Sequence, residues 1–451
     1  MEIRFHEQAA ARFNEMSQEL LTKAATLEQV PTRPEAASTL HPLVLMGEQD
    51  IIGKLEWNGR SINGYGDETG RCWDTSSGRM GYEGDAYLAV KELASRLAKA
   101  APIKGKVSED FLLREVFVWI EETLSAKRSD RLIDFLTEKL AKAISVQELW
   151  IPVYRTYSSQ EIVLGDVTFK PILPAMLDRW YSRIPLEERN QHPEATLALS
   201  RQRSSLQGTL AACVTVEADP LHAADLANVA ADEAVAMLRF LSEVNWTCRI
   251  TSHCLPMGKE NTRTAMTIRV EGGEIRSIRR GVLEQGPVGW NVDDARKDPL
   301  NVGVLELLQS LVSRRDESDF YGDVYGALQL HARASITSDI SHKLVFVVAA
   351  AESFFLRNAS EPIQKNLGER MAFLVGHDVD ERRKMIKNVD EFYGIRSALI
   401  HHGKDVQDHQ KDVVDEFFVN IWFSFVVLMR NVSAWKTREQ MFVDLEERKL
   451  S

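Results

Sequence analysis

Residues 412–435 constrain the fold more than any other segment, because apolar side chains occupy nearly every face of the helix that they predict. The segment reads DVVDEFFVNIWFSFVVLMRNVSAW. A helix that is apolar all round is either buried at the centre of a larger structure or spans a membrane. Its most apolar part, 421–429, falls far short of the ~20 residues that a membrane helix needs. The sequence therefore predicts a helical bundle with this segment at its centre, and no membrane span.

The C-terminal third of the chain, residues 303–451, has the apolar spacing of helices throughout. We predict helices there at 304–313, 324–356, 361–375, 380–402 and 408–436. From His331 onward this zone contains 17 basic and 18 acidic residues, so it is nearly neutral and most of the negative charge lies upstream. An all-α domain is expected here, and it is the part of the chain least unfavourable for contact with a polyanion.

The upstream sequence has a different texture. In residues 1–147, helical patterns flank short glycine-rich strands, and the helices are predicted at 5–27, 86–99, 109–124 and 128–143. Residues 148–302 combine an amphipathic helix at 220–241 with strands at 246–255 and 264–282, where Gly272-Gly273 is a hairpin turn. The predicted fold class is therefore α+β and multi-domain: a mixed α/β N-terminal region, an α+β middle domain hypothesised to be a sensor, and a C-terminal helical bundle.

Charge and cysteine content exclude several classes of protein. The chain has 55 basic and 66 acidic side chains, a net charge of −11, whereas a general nucleic-acid coat needs a basic surface. Its four cysteines form no C-x-x-C pair and cannot make a disulfide scaffold. The one hint of a metal cluster, His253-Cys254 with Cys248 nearby, lacks a second ligand pair at zinc spacing, so no metal is expected. No other cofactor is expected either. The N-terminus lacks an apolar segment of secretory length. We therefore expect a cytoplasmic protein.

One segment combines residues that are suited to chemistry on a phosphate: NVDEFYGIRSALIHHGKDV, residues 388–406. Arg396 precedes His401 by five positions, and His402 and Gly403 follow directly. Glycine just past the last turn is a common helix end, which puts both histidines in that turn. Histidine is suited to proton transfer near neutral pH, and arginine can hold a phosphate through two parallel hydrogen bonds.

This R-x4-H motif and its setting, YGIRSALIHHG, resemble the signature of the Apea-like HEPN domains. Two upstream blocks extend the resemblance. VFVVAAAESFFL (345–356) is similar to the family's first core helix, with Glu352 as its acidic residue, and LGERMAFLVG (367–376) is similar to the second. Many HEPN nucleases have Asn or Asp directly after the arginine; here Ser397 stands there, as in many Apea-like members. The three blocks cover the C-terminal third of the chain.

The resemblance implies a bundle of four to five helices that dimerises and that in many members is a metal-independent ribonuclease. Arg396 and His401 would be catalytic: the RNA 2′-OH attacks the adjacent phosphate, His401 acts as general base or acid, and Arg396 stabilises the phosphorane. The product would be a 2′,3′-cyclic phosphate. His402 is the alternative to His401, because it directly precedes the glycine and gives R-x5-H.

The resemblance also implies partners. Arg396 and His401 are about 140° apart on an ideal helix, so a two-fold homodimer or a higher homo-oligomer is expected to complete the site. The expected substrate is RNA, such as tRNA or mRNA. Family members often act in toxin and anti-phage defence systems, so a phage-derived or small-molecule trigger acting through the upstream regions is the corresponding hypothesis.

Several alternatives stay open. Arg396 and Glu352 are equally well explained as an ion pair of the bundle core, and the two histidines as caps of helix carbonyls. Four cations on the preceding turns are interpreted either as an RNA-approach patch or as a solvated helix face: Arg382, Arg383, Lys384 and Lys387. The protein as a whole is alternatively a non-catalytic HEPN interaction protein, or a ligand sensor with a convergent polar pocket between residues 148 and 300.

Overall fold

The structure is a computed structural model that describes residues 3–27, 60–62, 68–75, 78–182, 203–259, 264–271, 274–282, 289–358 and 360–450. The chain divides into two compact units. The first comprises Met1–Leu149, Arg179–Ser204 and Thr215–Ala227, and the second comprises Trp150–Asp178, Ser205–Val214 and Asn228–Ser451. The units divide the chain differently from the three zones of the sequence, because most of zone 148–302 belongs to the unit that contains the C-terminal helices.

The first unit combines helices with a small antiparallel sheet. Its described helices are α1 (Glu7–Leu21), α2 (Gly84–Ala98), α3 (Glu109–Leu124) and α4 (Leu132–Ala143). The strands are β1 (Ala25–Thr26), β2 (Arg60–Ile62), β3 (Glu68–Thr75) and β4 (Gly78–Glu83), in the order β1-β4-β3-β2. The start of α3 is fixed by Ser108, whose hydroxyl accepts a hydrogen bond from the Phe111 N–H at 3.1 Å. The helices predicted at 86–99 and 109–124 are confirmed.

A second four-stranded sheet has the order β5-β9-β8-β7. The strands that follow α4 are β5 (Ser145–Pro152), β6 (Thr156–Tyr157), β7 (Ile162–Leu164), β8 (Val167–Pro171) and β9 (Leu210–Ala218). Helices α5 (Pro174–Ser182) and α6 (Pro220–Leu238) lie between and after them, and α6 continues as a 3-10 turn to Leu241. The predicted hairpin is confirmed as β10 (Thr264–Glu271) and β11 (Glu274–Val282), although its turn, 272–273, lies outside the described residues. Strand β12 (Trp290–Asn291) pairs in parallel with β6.

The strand predicted at 246–255 is wrong. A 3-10 turn at Glu243–Asn245 is followed by irregular chain. The backbone groups of this segment bond to side chains from the C-terminal helices. The Cys248 N–H donates to Asp415 Oδ1 at 2.6 Å, and Lys343 donates to the Ile250 carbonyl. Side chains of the helices, rather than a neighbouring strand, therefore provide the hydrogen-bond partners of these backbone groups.

The rest of the second unit is helical. Its described helices from residue 292 on are α7 (Val292–Lys297), α8 (Val304–Ser313), α9 (Asp319–Ser335), α10 (Ile340–Phe355), α11 (Ile363–Val375), α12 (Val379–His402), α13 (Asp408–Arg430) and α14 (Arg438–Leu450). The prediction of a single helix at 324–356 is wrong, because the helical conformation is interrupted between α9 and α10. Asp339 begins α10 by accepting from the His342 N–H at 3.1 Å.

Helix α13 lies at the centre of these helices, as its sequence predicts. It contacts α8, α9, α10, α11 and α12, and the side chains of Phe417, Ile421 and Trp422 are completely buried. The Phe392 ring of α12 stacks on Phe417 with the ring centroids 3.7 Å apart, so the helix that carries the R-x4-H motif is anchored to the central helix. Among the described helices, none is both long enough and apolar enough to cross a membrane.

Candidate active site

The R-x4-H motif occupies the C-terminal end of α12, and local chemistry fixes both ends of that helix. At its start, one carboxylate oxygen of Asp378 accepts from the N–H groups of Asp380 and Glu381, both at 2.8 Å. At its end, Gly403 adopts the left-handed conformation with φ +61°, which glycine tolerates without strain. The glycine helix end predicted from the sequence is thus confirmed, and both histidines lie in the last turn.

A hydrogen bond between α10 and α12 fixes the inner side of the motif. The Tyr393 hydroxyl donates to Glu352 Oε1 at 2.9 Å. Tyr393 is only 8% exposed. Burial raises the pKa of this phenol above its usual range, and the neighbouring Glu352 carboxylate raises it further. The phenol therefore stays protonated and holds Glu352 as an acceptor at any physiological pH.

Arg396 lies one turn beyond Tyr393 and is half-buried. Its guanidinium carbon lies 5.9 Å from the centroid of the Tyr393 ring, within the range of a cation–π contact. Its Nε is buried without a hydrogen-bond partner. The ion pairs found among the described residues do not include one between Arg396 and Glu352. The core ion pair considered as an alternative is therefore absent from the described residues, in which Glu352 accepts a hydrogen bond from Tyr393 instead.

The two histidines and the serine of the motif, unlike Arg396, lie at the protein surface. His401, His402 and Ser397 are all exposed or partly exposed at the surface. In the described part of the chain, neither histidine makes a hydrogen bond or ion pair with Arg396. This agrees with the helical geometry, in which positions five apart are separated by about 140°. The arginine and the histidines of one chain thus lie on different sides of α12. Within a single copy, neither His401 nor His402 bonds to Arg396, so the geometry favours neither histidine.

The row of cations earlier on α12 is engaged within the protein. Arg382 donates to the Gly376 carbonyl at 3.1 Å and lies over the Phe373 ring. The other three cations each lie near a carboxylate: Arg383 at 3.7 Å from Asp380, Lys384 at 3.1 Å from Glu416, and Lys387 at 3.4 Å from Glu391. The three carboxylate pairs are largely exposed, and such pairs are weak. Arg382 is a structural residue here, whereas the other three form a solvated face whose charges are locally balanced.

Metal-ligating side chains do not converge in the described part of the chain, where no group of three or more His, Cys, Asp or Glu could hold an ion. All four cysteines are buried as free thiols. Burial raises the pKa of Cys248 to about 12 and that of Cys254 to about 11. These two thiols are therefore protonated and unreactive, which argues against a role for them in nucleophilic chemistry.

Comparison of the chain with protein-family models, with curated proteins and with solved structures found no match. The candidate site is therefore defined by its own geometry. That geometry adds one residue that the sequence interpretation did not assign, Tyr393. Its position three residues before Arg396 places both side chains on the same face of a helix, and this spacing is the signal that could have identified it.

Proposed function

We propose that the protein is a metal-independent RNA endonuclease of the HEPN type, active as a homodimer through its C-terminal helices. The observation that carries this proposal is the state of Arg396. Its guanidinium is half-buried and has no anionic partner in the described structure, while Glu352 accepts a hydrogen bond from Tyr393 instead. A half-buried charge without a partner carries a desolvation cost, which a nearby acid could have offset. An arginine kept unpaired is available to bind an external phosphate.

The proposed chemistry assigns one role to each residue. Arg396 binds the scissile phosphate and stabilises the charge that develops on the phosphorane. His401, or else His402, removes the proton of the 2′-OH or protonates the leaving 5′-oxygen. The attacking 2′-oxygen forms a bond to phosphorus as the bond to the 5′-oxygen breaks, which leaves a 2′,3′-cyclic phosphate and a 5′-OH. Ser397 and Tyr393 lie beside the arginine, and neither transfers a proton in this proposal.

A second copy of the chain would complete this site. Because Arg396 and His401 lie about 140° apart around α12, the histidine that acts with one arginine comes from the partner subunit in this proposal. Two exposed apolar residues support an interface here: Val345 is 44% exposed and Ile400 is 42% exposed. Val345 lies seven residues before Glu352 on α10, and Ile400 lies seven residues after Tyr393 on α12. Seven residues are about two helical turns, so the two members of each pair lie on the same face of their helix. Burying them against a second copy would remove apolar surface from water.

The biological setting that fits the family resemblance is anti-phage defence. In this proposal RNA cleavage arrests growth, and the upstream regions respond to a phage-derived or small-molecule trigger. The chain's net charge of −11 agrees with an enzyme that binds RNA at one local site rather than along its surface. The substrate, tRNA or another cellular RNA, is to be identified by the assay.

The test is RNA cleavage in the presence of EDTA by the wild type and by Arg396→Ala, His401→Ala and His402→Ala. Total RNA and tRNA are the substrates, and the ends are examined for 2′,3′-cyclic phosphate. We expect wild-type cleavage that is lost in Arg396→Ala and in one of the two histidine variants. A substrate with a 2′-deoxynucleotide at the cleaved position should resist, since it lacks the attacking group.

Two matched controls separate the site from general effects of charge. Arg430→Ala removes an exposed arginine at the end of α13, and His409→Ala removes an exposed histidine near its start. Both variants should cleave like the wild type. Cleavage that survives in Arg396→Ala would contradict the proposal, as would cleavage that requires a metal. A folded dimer that cleaves none of these RNAs would instead favour the alternative, a non-catalytic HEPN interaction protein.

A further inference from the structure

We propose that the β10–β11 hairpin binds the phosphate backbone of a nucleic acid through one basic face. The hairpin consists of Thr264–Glu271 and Glu274–Val282, and in the described part of the chain its two strands pair only with each other. These strands contain four arginines and two glutamates, a formal charge of +2, in a chain whose net charge is −11. Positive charge is therefore concentrated locally on a narrow, two-stranded ribbon.

The register of the two strands places polar residues together on one face. In an antiparallel pair, directly opposite residues share a face, and so do alternate residues of each strand. Arg269 stands opposite Ser277, and Thr267 stands opposite Arg279. These four residues therefore occupy the same face, which we call the polar face. The two arginines take diagonal positions on it, about 7–8 Å apart.

The opposite face of the hairpin is mainly apolar, and a β-bulge keeps it so. The register places five apolar residues there: Met266, Ile268, Val270, Ile275 and Ile278. The pairing shifts by one residue between Arg269 and Val270, which leaves Arg276 as an extra residue in β11. Without that extra residue, Ile275 would fall on the polar face, since it lies three positions from Ile278. The hairpin is therefore amphipathic.

This division decides which face is available to a polar partner. An antiparallel sheet with one apolar face buries that face and leaves the other to solvent. Arg269, which belongs to the polar face, is exposed and so agrees with this rule. The polar face combines arginines with the hydroxyl residues Thr267 and Ser277. Arginine, serine and threonine are the residue types that commonly contact phosphate groups in nucleic-acid complexes.

Charge and shape favour a nucleic acid over an acidic protein as the partner. Each phosphate can accept two parallel hydrogen bonds from one guanidinium, and a polynucleotide carries a phosphate at every nucleotide, whereas an acidic protein carries carboxylates only where Asp and Glu cluster. A two-stranded ribbon is also narrow enough to enter a nucleic-acid groove. The acidic remainder of the chain repels a polyanion, which limits such contact to local basic positions like this face.

The test is binding of a labelled single-stranded 2′-O-methyl RNA to the full chain, measured by fluorescence anisotropy in EDTA over a range of KCl concentrations. The methyl group blocks the nucleophile of the proposed cleavage, so binding is measured whether or not the protein is a nuclease. We expect the logarithm of the association constant to fall linearly with that of the salt concentration, because bound phosphates release counterions. Duplex DNA of the same sequence is the second nucleic-acid probe, and poly-glutamate represents an acidic protein.

Two neighbouring arginines provide a matched pair of variants. Arg279→Thr removes a charge from the polar face, and Arg280→Thr removes the same charge from the apolar face; threonine is favoured in strands. We expect Arg279→Thr to weaken RNA binding several-fold and to reduce the salt slope by about 0.7, the value for one phosphate of a single strand. The double variant Arg269→Thr/Arg279→Thr should weaken binding on the order of tenfold or more. Arg280→Thr should bind like the wild type.

Arg396→Ala separates the hairpin from the candidate active site. If both bind RNA, the losses of binding free energy in Arg396→Ala and Arg279→Thr should add, whereas failure of the proposed nuclease function would leave the effect of Arg279→Thr unchanged. The proposal is overturned if the wild type binds neither nucleic acid, if poly-glutamate binds as tightly as the RNA, or if Arg279→Thr and Arg280→Thr bind RNA equally well.

Discussion

Replacing Glu361 with glutamine should destabilise the helical region that carries the candidate active site, and the loss should depend on pH. Glu361 and Arg370 form a pair with two bonds, at 2.8 and 2.9 Å, and both side chains are at most 13% exposed. Glu361 also accepts from the Arg357 N–H at 3.0 Å, and Arg370 donates to the Phe355 carbonyl. The pair therefore links the end of α10, the helix that carries Glu352, and the connection that follows it to the middle of α11.

The size of the effect follows from the pKa of Glu361. The hydrogen bond from Arg370 is the main reason that this pKa is lowered from 4.5 to about 2. A lowering of this size corresponds to roughly 3 kcal/mol of folding free energy at neutral pH. Because the pKa is lower in the folded state, this contribution is complete above pH 4.5 and is lost as the pH falls through 2. At pH 3 roughly 1 kcal/mol of this contribution should remain.

The measurement is the free energy of opening of α11, obtained from native-state hydrogen exchange in urea at pH 7 and at pH 3. The control is Glu369→Gln, because Glu369 pairs with Lys449, whose side chain is 44% exposed. That exposed pair should contribute at most about 1 kcal/mol. The reasoning is refuted if Glu361→Gln loses as much stability at pH 3 as at pH 7, or no more than the control at pH 7.

Three further predictions concern buried polar groups. Burial lowers the pKa of Lys343 to about 8, so above that pH the unfolded state binds more protons than the folded state. The unfolding free energy of the wild type, relative to that of Lys343→Met, should therefore rise between pH 8 and 10. Burial lowers the pKa of His331 to about 4; the wild type should lose stability relative to His331→Leu as the pH falls from 6.5 to 4, measured by urea unfolding. Tyr393→Phe frees Glu352 to pair with Arg396, and we expect RNA cleavage to fall ~10-fold or more while the unfolding free energy changes by only about 1–2 kcal/mol.

Features that depend on neighbouring residues in the sequence could be predicted. Apolar spacing alone predicts the observed bounds of helix α3, because it is a local signal. Gly403 was identified as a helix end for the same reason, since a left-handed residue after the last turn favours glycine. The Asp339 cap was overlooked in the predicted helix 324–356, because apolar spacing continues across the break.

Features that depend on distant residues could not be predicted. The segment 246–255 has the alternation of a strand, but Asp415 and Lys343 bond to its backbone from far along the chain. A local pattern cannot report such partners, and tertiary contacts override it. The same limit applies at the candidate site. Tyr393 and Glu352 are 41 positions apart, so the sequence suggested an acid–arginine pair where the fold makes an acid–phenol hydrogen bond.

The bonding of the other cations in the helical region supports the proposal that Arg396 binds substrate. Arg239 is 4% exposed and donates to the Cys254 carbonyl at 2.9 Å, and Lys343 and Arg370 likewise bond to oxygen atoms of the chain. These bonds partly offset the desolvation of each charge. Arg396 departs from this pattern, because its Nε is buried without an acceptor. A phosphate from outside the chain would supply the acceptor that this nitrogen lacks, as the proposed function requires.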